Sequence, residues 1–146
     1  MPILLIPFIF LYLSCENSTS PPTTNSKIRK LPPEHKLLRR ITDDILVALA
    51  TRNYADLEPF VPIVVPALTG QQAAQMLLGD QVGSIVLERW DADTIHVSLA
   101  PDHLSATTKV NVAYRRAPNR PPRRREFTFH FSRSSRQERW RLKLQS

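Results

Sequence analysis

The stretch FTFHFS, Phe127 to Ser132, decides how the rest of the chain is read. Phe127, Phe129 and Phe131 alternate with Thr128, His130 and Ser132, the period of two that gives a strand one dry face and one wet face. Three other segments carry the same rhythm. Ile95, Val97 and Leu99 alternate with Thr94, His96 and Ser98. Val110, Val112 and Tyr114 alternate with Lys109, Asn111 and Ala113, and Trp140, Leu142 and Leu144 with Arg139, Arg141 and Lys143. Ser84 to Trp90 supplies a fifth strand. One-sided strands of this kind form an antiparallel meander whose dry face needs a cover.

The N-terminal half supplies that cover. From Glu34 to Arg52 the apolar residues Leu37, Leu38, Ile41, Ile45, Ala48 and Leu49 recur at three- and four-residue steps, one face of an amphipathic helix that Pro32 and Pro33 can start. Arg39, Arg40, Asp43 and Asp44 fall mostly on its wet side. Asn53 caps a short second helix, Tyr54 to Glu58, which Pro59 stops. Val61 to Ala67, VPIVVPA, is β-branched but broken by Pro62 and Pro66, so it is an edge strand or an extended link. Thr69 and Gln72 have the spacing of a capping box for a helix running to about Leu78, with Gly79 as terminator. The expected fold class is α+β, with N-terminal helices on one face of a curved antiparallel sheet of four to five strands.

A chain of 146 residues, less its leader and a polar segment, leaves enough for one domain with one core. Expected boundaries are a signal peptide at 1–14, a flexible Ser/Thr/Pro tether at 15–33 and a single domain at 34–146. The single cysteine excludes an intrachain disulfide, and no Cys/His spacing suggests zinc. No cofactor or metal is implied.

Cys15 stands where the apolar run ILLIPFIFLYL, Ile3 to Leu13, gives way to ENSTSPPTTN, Glu16 to Asn25. The apolar run falls short of the roughly 20 residues of a membrane span and fits the core of a signal peptide. The tract Leu11-Tyr12-Leu13-Ser14-Cys15 resembles a bacterial lipobox, with Tyr12 where that pattern carries an aliphatic residue. The resemblance implies a lipid on Cys15 and a membrane-anchored protein on the exported side of a bacterial envelope.

The net charge of +7 is uneven. From Arg115 onward there are eleven Lys/Arg against Glu126 and Glu138 alone, whereas the part before Arg115 is slightly acidic. The densest run is RRAPNRPPRRR, Arg115 to Arg125, read as a proline-stiffened loop that holds out Arg115, Arg116, Arg120, Arg123, Arg124 and Arg125. Arginine at this density suits phosphate or carboxylate, so the expected partners are an anionic lipid surface or an acidic envelope protein. Nucleic acid is disfavoured, because the aromatics that would stack on bases point to the other face. Arg133, Arg136, Arg139, Arg141 and Lys143 are expected to extend the basic surface.

The stretches ILVALATRNYADLEPFV, LTGQQAAQMLL and QERWRLKLQ, in this order around a meander, resemble the nuclear transport factor 2-like superfamily, which includes the SnoaL-like proteins. The resemblance implies a cone-shaped domain with a pocket between helices and sheet, bordered here by Tyr54, Tyr114, Phe129 and Trp140. In enzymes of that superfamily an acid, histidine or tyrosine projects into the pocket. The inward set here holds no Asp, Glu or His, and His96 and His130 fall on the wet face. A buried tyrosine hydroxyl most often only satisfies a backbone carbonyl. The expected function is therefore a non-catalytic binding or assembly module. A SnoaL-like isomerase or hydrolase for a small apolar ligand is the alternative from another class, and a basic adaptor docking an envelope complex is a third.

Overall fold

Residues 31–145 are described by a computed structural model; the leader, Cys15 and most of the tether lie outside the described residues. Helix α1 spans Pro33–Thr51, and Arg52 closes it in the left-handed conformation at φ 57°. Its buried face is Leu38, Ile41, Thr42, Ile45, Leu46, Ala48 and Leu49. Leu37, expected on that face, is 46% exposed, and Leu46 takes the inward place.

Two charges of α1 expected in water instead tie it to the sheet. Arg39 Nε donates to the Ile95 carbonyl at 2.9 Å, and Asp43 accepts the Trp90 indole N–H at 2.7 Å. After α1, a 3-10 helix runs Tyr54–Phe60, past the proline expected to end it. Pro59 costs this segment one donor without stopping it, since Val61 N–H still reaches the Glu58 carbonyl. Asn53 spends its amide on the Asp56 carboxylate rather than on a backbone cap.

Helix α2, Gly70–Leu78, carries the expected reciprocal box between Thr69 and Gln72, and Gly79 leaves it at φ 60°. Gly70 has a second role: a Cβ there would lie 1.7 Å from the Tyr54 carbonyl oxygen. Only glycine lets the two short helices meet this closely. Val61 to Ala67 forms no ladder and is the extended link. Arg141 Nη1 donates to the Val61 carbonyl at 2.9 Å, which holds the start of the link beside the outer strand.

The strands are β1 Val86–Arg89, β2 His96–Leu99, β3 Ser105–Arg115, β4 Arg123–Ser132 and β5 Arg141–Leu142. All pairings are antiparallel, and the curled sheet is a cone-like half-barrel with the helices on one face. The order β1-β3-β4-β5, with β2 also on β3, departs from a simple meander. β1 pairs with Ala113–Arg115 and β2 with Ala106–Lys109, so the two share one edge of β3 and are joined by a 3-10 turn, Ala92–Thr94. Between them, residues 110–112 of β3 have no partner on that edge.

Strand parity holds on the dry face: Val110, Val112, Phe127, Phe129, Phe131, Trp140 and Leu142 are buried. β3 begins earlier than expected and adds Ala106 and Thr108 to that set. Thr108 meets Thr42 of α1, both fully buried, at 2.8 Å between hydroxyls. Thr42 gives its proton to the Leu38 carbonyl, so Thr108 must be the donor to Thr42.

Arg133 continues the inward parity of β4, and its side chain is 4% exposed. Its guanidinium lies 4.1 Å from the Trp140 ring centroid. It donates to the carbonyls of His103 (2.8 Å) and Arg136 (3.2 Å) and to Glu34 Oε1 (2.5 Å). One side chain thereby joins the first turn of α1, the β2–β3 turn and the β4–β5 turn. His103 Nδ1 adds a contact of 2.9 Å to the other Glu34 oxygen. Both partners hold the Glu34 carboxyl below its ordinary pKa, the His103 hydrogen bond most, then that from Arg133.

Two outcomes test these contacts. A lowered folded pKa stabilises above the unfolded carboxylate pKa and is lost as pH falls through the folded value. Glu34→Gln should thus be less stable than the parent at pH 7, with the gap narrowing as pH falls below the ordinary carboxylate range in urea titrations; a gap independent of pH would contradict the pairing. Thr42→Val strands a buried donor and should cost about 1–2 kcal/mol, more than Thr108→Val. The double valine variant should lose less than the sum of the two, by about 1 kcal/mol.

Candidate anion-binding interface

The arginine run is not one loop. Arg115 ends β3, Arg123 to Arg125 begin β4, and only Arg116–Pro122 bridges them. The register sets Tyr114 opposite Arg123, Ala113 opposite Arg124 and Val112 opposite Arg125. Pairing therefore fixes the backbone of four of the six arginines, which lowers the entropy cost of engaging a partner relative to a free loop.

Alternation then divides them between faces. Arg123 and Arg125 share the parity of Phe127, and the Arg125 guanidinium lies 5.4 Å from the Phe127 ring. Arg124 is on the opposite, wet face. Arg115 is ion-paired with Glu88 and also donates to the Arg120 carbonyl at 3.0 Å, which folds the loop back on its strand. Among the described residues Arg116, Arg120, Arg123, Arg124 and Arg125 have no acidic partner, and all five are exposed. The other end differs from expectation: Arg133 is buried in its own contacts, and Arg141 is turned onto the Val61 carbonyl. Arg136, Arg139 and Lys143 stay exposed near that end, and the denser group of exposed arginines is at the β3–β4 hairpin.

Three depressions gather at that hairpin. One of about 420 Å³ is bordered by Arg116, Arg120, Pro121 and Arg123. A second, about 410 Å³, lies where β1 and β2 part, with Arg89, Trp90, Asp91, Thr94, Asn111, Ala113 and Arg124 around it. A third of about 270 Å³ shares Arg89, Ala113 and Arg124 with the second. Away from them, Leu37, Ile41, Pro59 and Trp140 border a groove of about 410 Å³ beside the Arg133 turn.

Tyr54, Tyr114 and Phe129, expected around an inner pocket, border none of these depressions. The Tyr54 hydroxyl donates to the Val82 carbonyl at 3.1 Å. Tyr114 and Phe129 are core residues, 7% and 2% exposed. Trp140 borders the Arg133 groove, and its buried indole N–H has no acceptor among the described residues. His96 pairs with Lys109 on one side of β3 and His130 with Thr107 on the other, so a whole strand separates the two rings. His103 is held by Glu34 at the exposed rim of the Arg133 turn, with both side chains more than 30% exposed. No group of three or more His, Cys, Asp or Glu able to hold a metal occurs among the described residues.

The residue that sequence reasoning missed is Arg89. It lies far from the arginine run in sequence and comes beside it only because β1 pairs with the end of β3. The chain was compared with protein-family models, curated proteins and solved structures, and none matches it.

Proposed function

We propose that this chain is a bacterial envelope protein held to a membrane by a lipid on Cys15. Its cone-like domain, of the nuclear transport factor 2-like kind, serves as a non-catalytic module that binds an acidic protein surface through the β3–β4 hairpin. The observation that carries this reading is the set of five exposed hairpin arginines without acidic partners among the described residues. An unpaired cluster of one sign raises the encounter rate with a surface of the other sign and disfavours like-charged partners.

Glu34, just after the tether, is bonded to the end of the sheet that carries the β2–β3 and β4–β5 turns. The hairpin lies at the other end of β3 and β4, which at about 3.3 Å per residue is some 30 Å away.

Two experiments test the proposal. Cells grown with a labelled fatty acid should incorporate label into the parent chain and not into Cys15→Ala; equal labelling would remove the anchor from the account. Replacing Arg116, Arg120 and Arg123 together with serine should lower affinity for polyglutamate about tenfold at low salt, and parental binding should weaken as salt rises. Unchanged affinity would rule out the hairpin. Stronger retention on phosphatidylglycerol vesicles than on polyglutamate would replace the acidic protein with the lipid surface.

A further inference from the structure

The geometry points to a defined carboxylate clamp within this basic end, formed by Arg89 and Arg124 on either side of Ala113. The inference rests on the proposed acidic partner and names the contact that would hold it. In the register, Arg89 of β1 is opposite Ala113 of β3, and Ala113 is opposite Arg124 of β4. The three residues form one row across the wet face, an arginine on each side of a methyl group. With strands about 4.8 Å apart, the two arginine backbones are about 10 Å apart, a gap that two side chains of this length close over one small anion.

A break in β1 sets this row. Leu87 is opposite Tyr114 and Arg89 is opposite Ala113, so Glu88 is the extra residue of a bulge. Bulges re-aim the side chain that follows them. Without it Glu88 would stand opposite Ala113 and place a carboxylate where an anion would dock. With it, Glu88 is turned to Arg115, and Arg89 takes the row. Neither Arg89 nor Arg124 has an acidic partner among the described residues.

The surroundings select the anion. Both depressions that contain Arg89, Ala113 and Arg124 are open to solvent from one side. The floor carries the Ala113 methyl group, from a residue of β3 that is paired on both sides. Asn111 adds one amide from the same face, and Trp90 forms a wall, its indole N–H held by Asp43. Asp91 at the rim accepts the Asp93 backbone N–H and keeps a negative charge in the depression. Two arginines and one aspartate leave a single positive charge, which matches a carboxylate better than a phosphate dianion. A planar carboxylate, with an oxygen toward each arginine, fits a clamp that grips from two sides. The ligand is thus an Asp or Glu side chain on the acidic face of the partner.

Calorimetric titration of the full chain with hexaglutamate tests the clamp. Arg124→Gln and Arg89→Gln should each weaken binding about tenfold. Ala113→Leu, which fills the floor and alters no charge, should do the same. Arg120→Gln at the loop tip should weaken it only about threefold, because it removes long-range attraction alone. Equal losses from Arg124→Gln and Arg120→Gln with no effect of Ala113→Leu would sink the clamp and leave the basic hairpin reading standing. Failure of the parent chain to bind hexaglutamate would sink both. Inorganic phosphate that displaces hexaglutamate more effectively than succinate at equal concentration would overturn the choice of carboxylate.

Discussion

A guanidinium cannot be taken out of water unless its donors are met, and Arg133 imposes that constraint on the whole domain. Its acceptors come from the start of α1, from the turn before β3 and from the turn after β4, and its face needs an aromatic ring, supplied by Trp140. Every one of those elements has to be in place for the charge to be tolerated. The contact contributes less to net stability than its hydrogen bonds suggest, because desolvation offsets much of the gain. Its larger effect is on uniqueness: a helix shifted by one turn, or a slipped β4–β5 register, would leave the arginine buried without partners.

The faces of the sheet were legible because alternation is a local property. Phe127, Phe129 and Phe131 reveal their orientation without reference to any other strand. Neighbours are not local, so nothing in the pattern showed that β1 and β2 lie end to end on one edge of β3. Arg133 was misread for a related reason. Its parity follows directly from Phe131 and points inward, but arginine at a strand end is usually solvated, and residue type outweighed position. Thr42 was silent as well, since a threonine on a helix attracts attention only once Thr108 is seen opposite it. The reach of Gly70 toward Tyr54 had no signal at all beyond a glycine in a capped turn.

For the candidate site the sequence exposed composition and hid arrangement. Six arginines in eleven residues mark an anion-seeking segment whatever their conformation. That they extend two paired strands, with Arg123 and Arg125 on one face and Arg124 on the other, follows only from where the turn falls. The proline-rich run looked like the loop itself, whereas the ladder continues up to it on both sides. A one-residue bulge at Glu88 then brings in an arginine from a distant part of the chain. Such irregularities leave no trace in hydrophobic periodicity, and they determine which charges stand together.

The bond between Glu34 and Arg133 joins residues 99 positions apart. A chain that emerges from the ribosome N-terminus first presents α1 long before its counterpart is made, and Trp140 and Leu142 arrive later still. Until that last stretch is free, the dry side of the helix and the three phenylalanines have no complete shelter. Closure is thus a late event in the synthesis of this domain, and the nascent domain stays open until β4 and the Trp140 segment have left the ribosome.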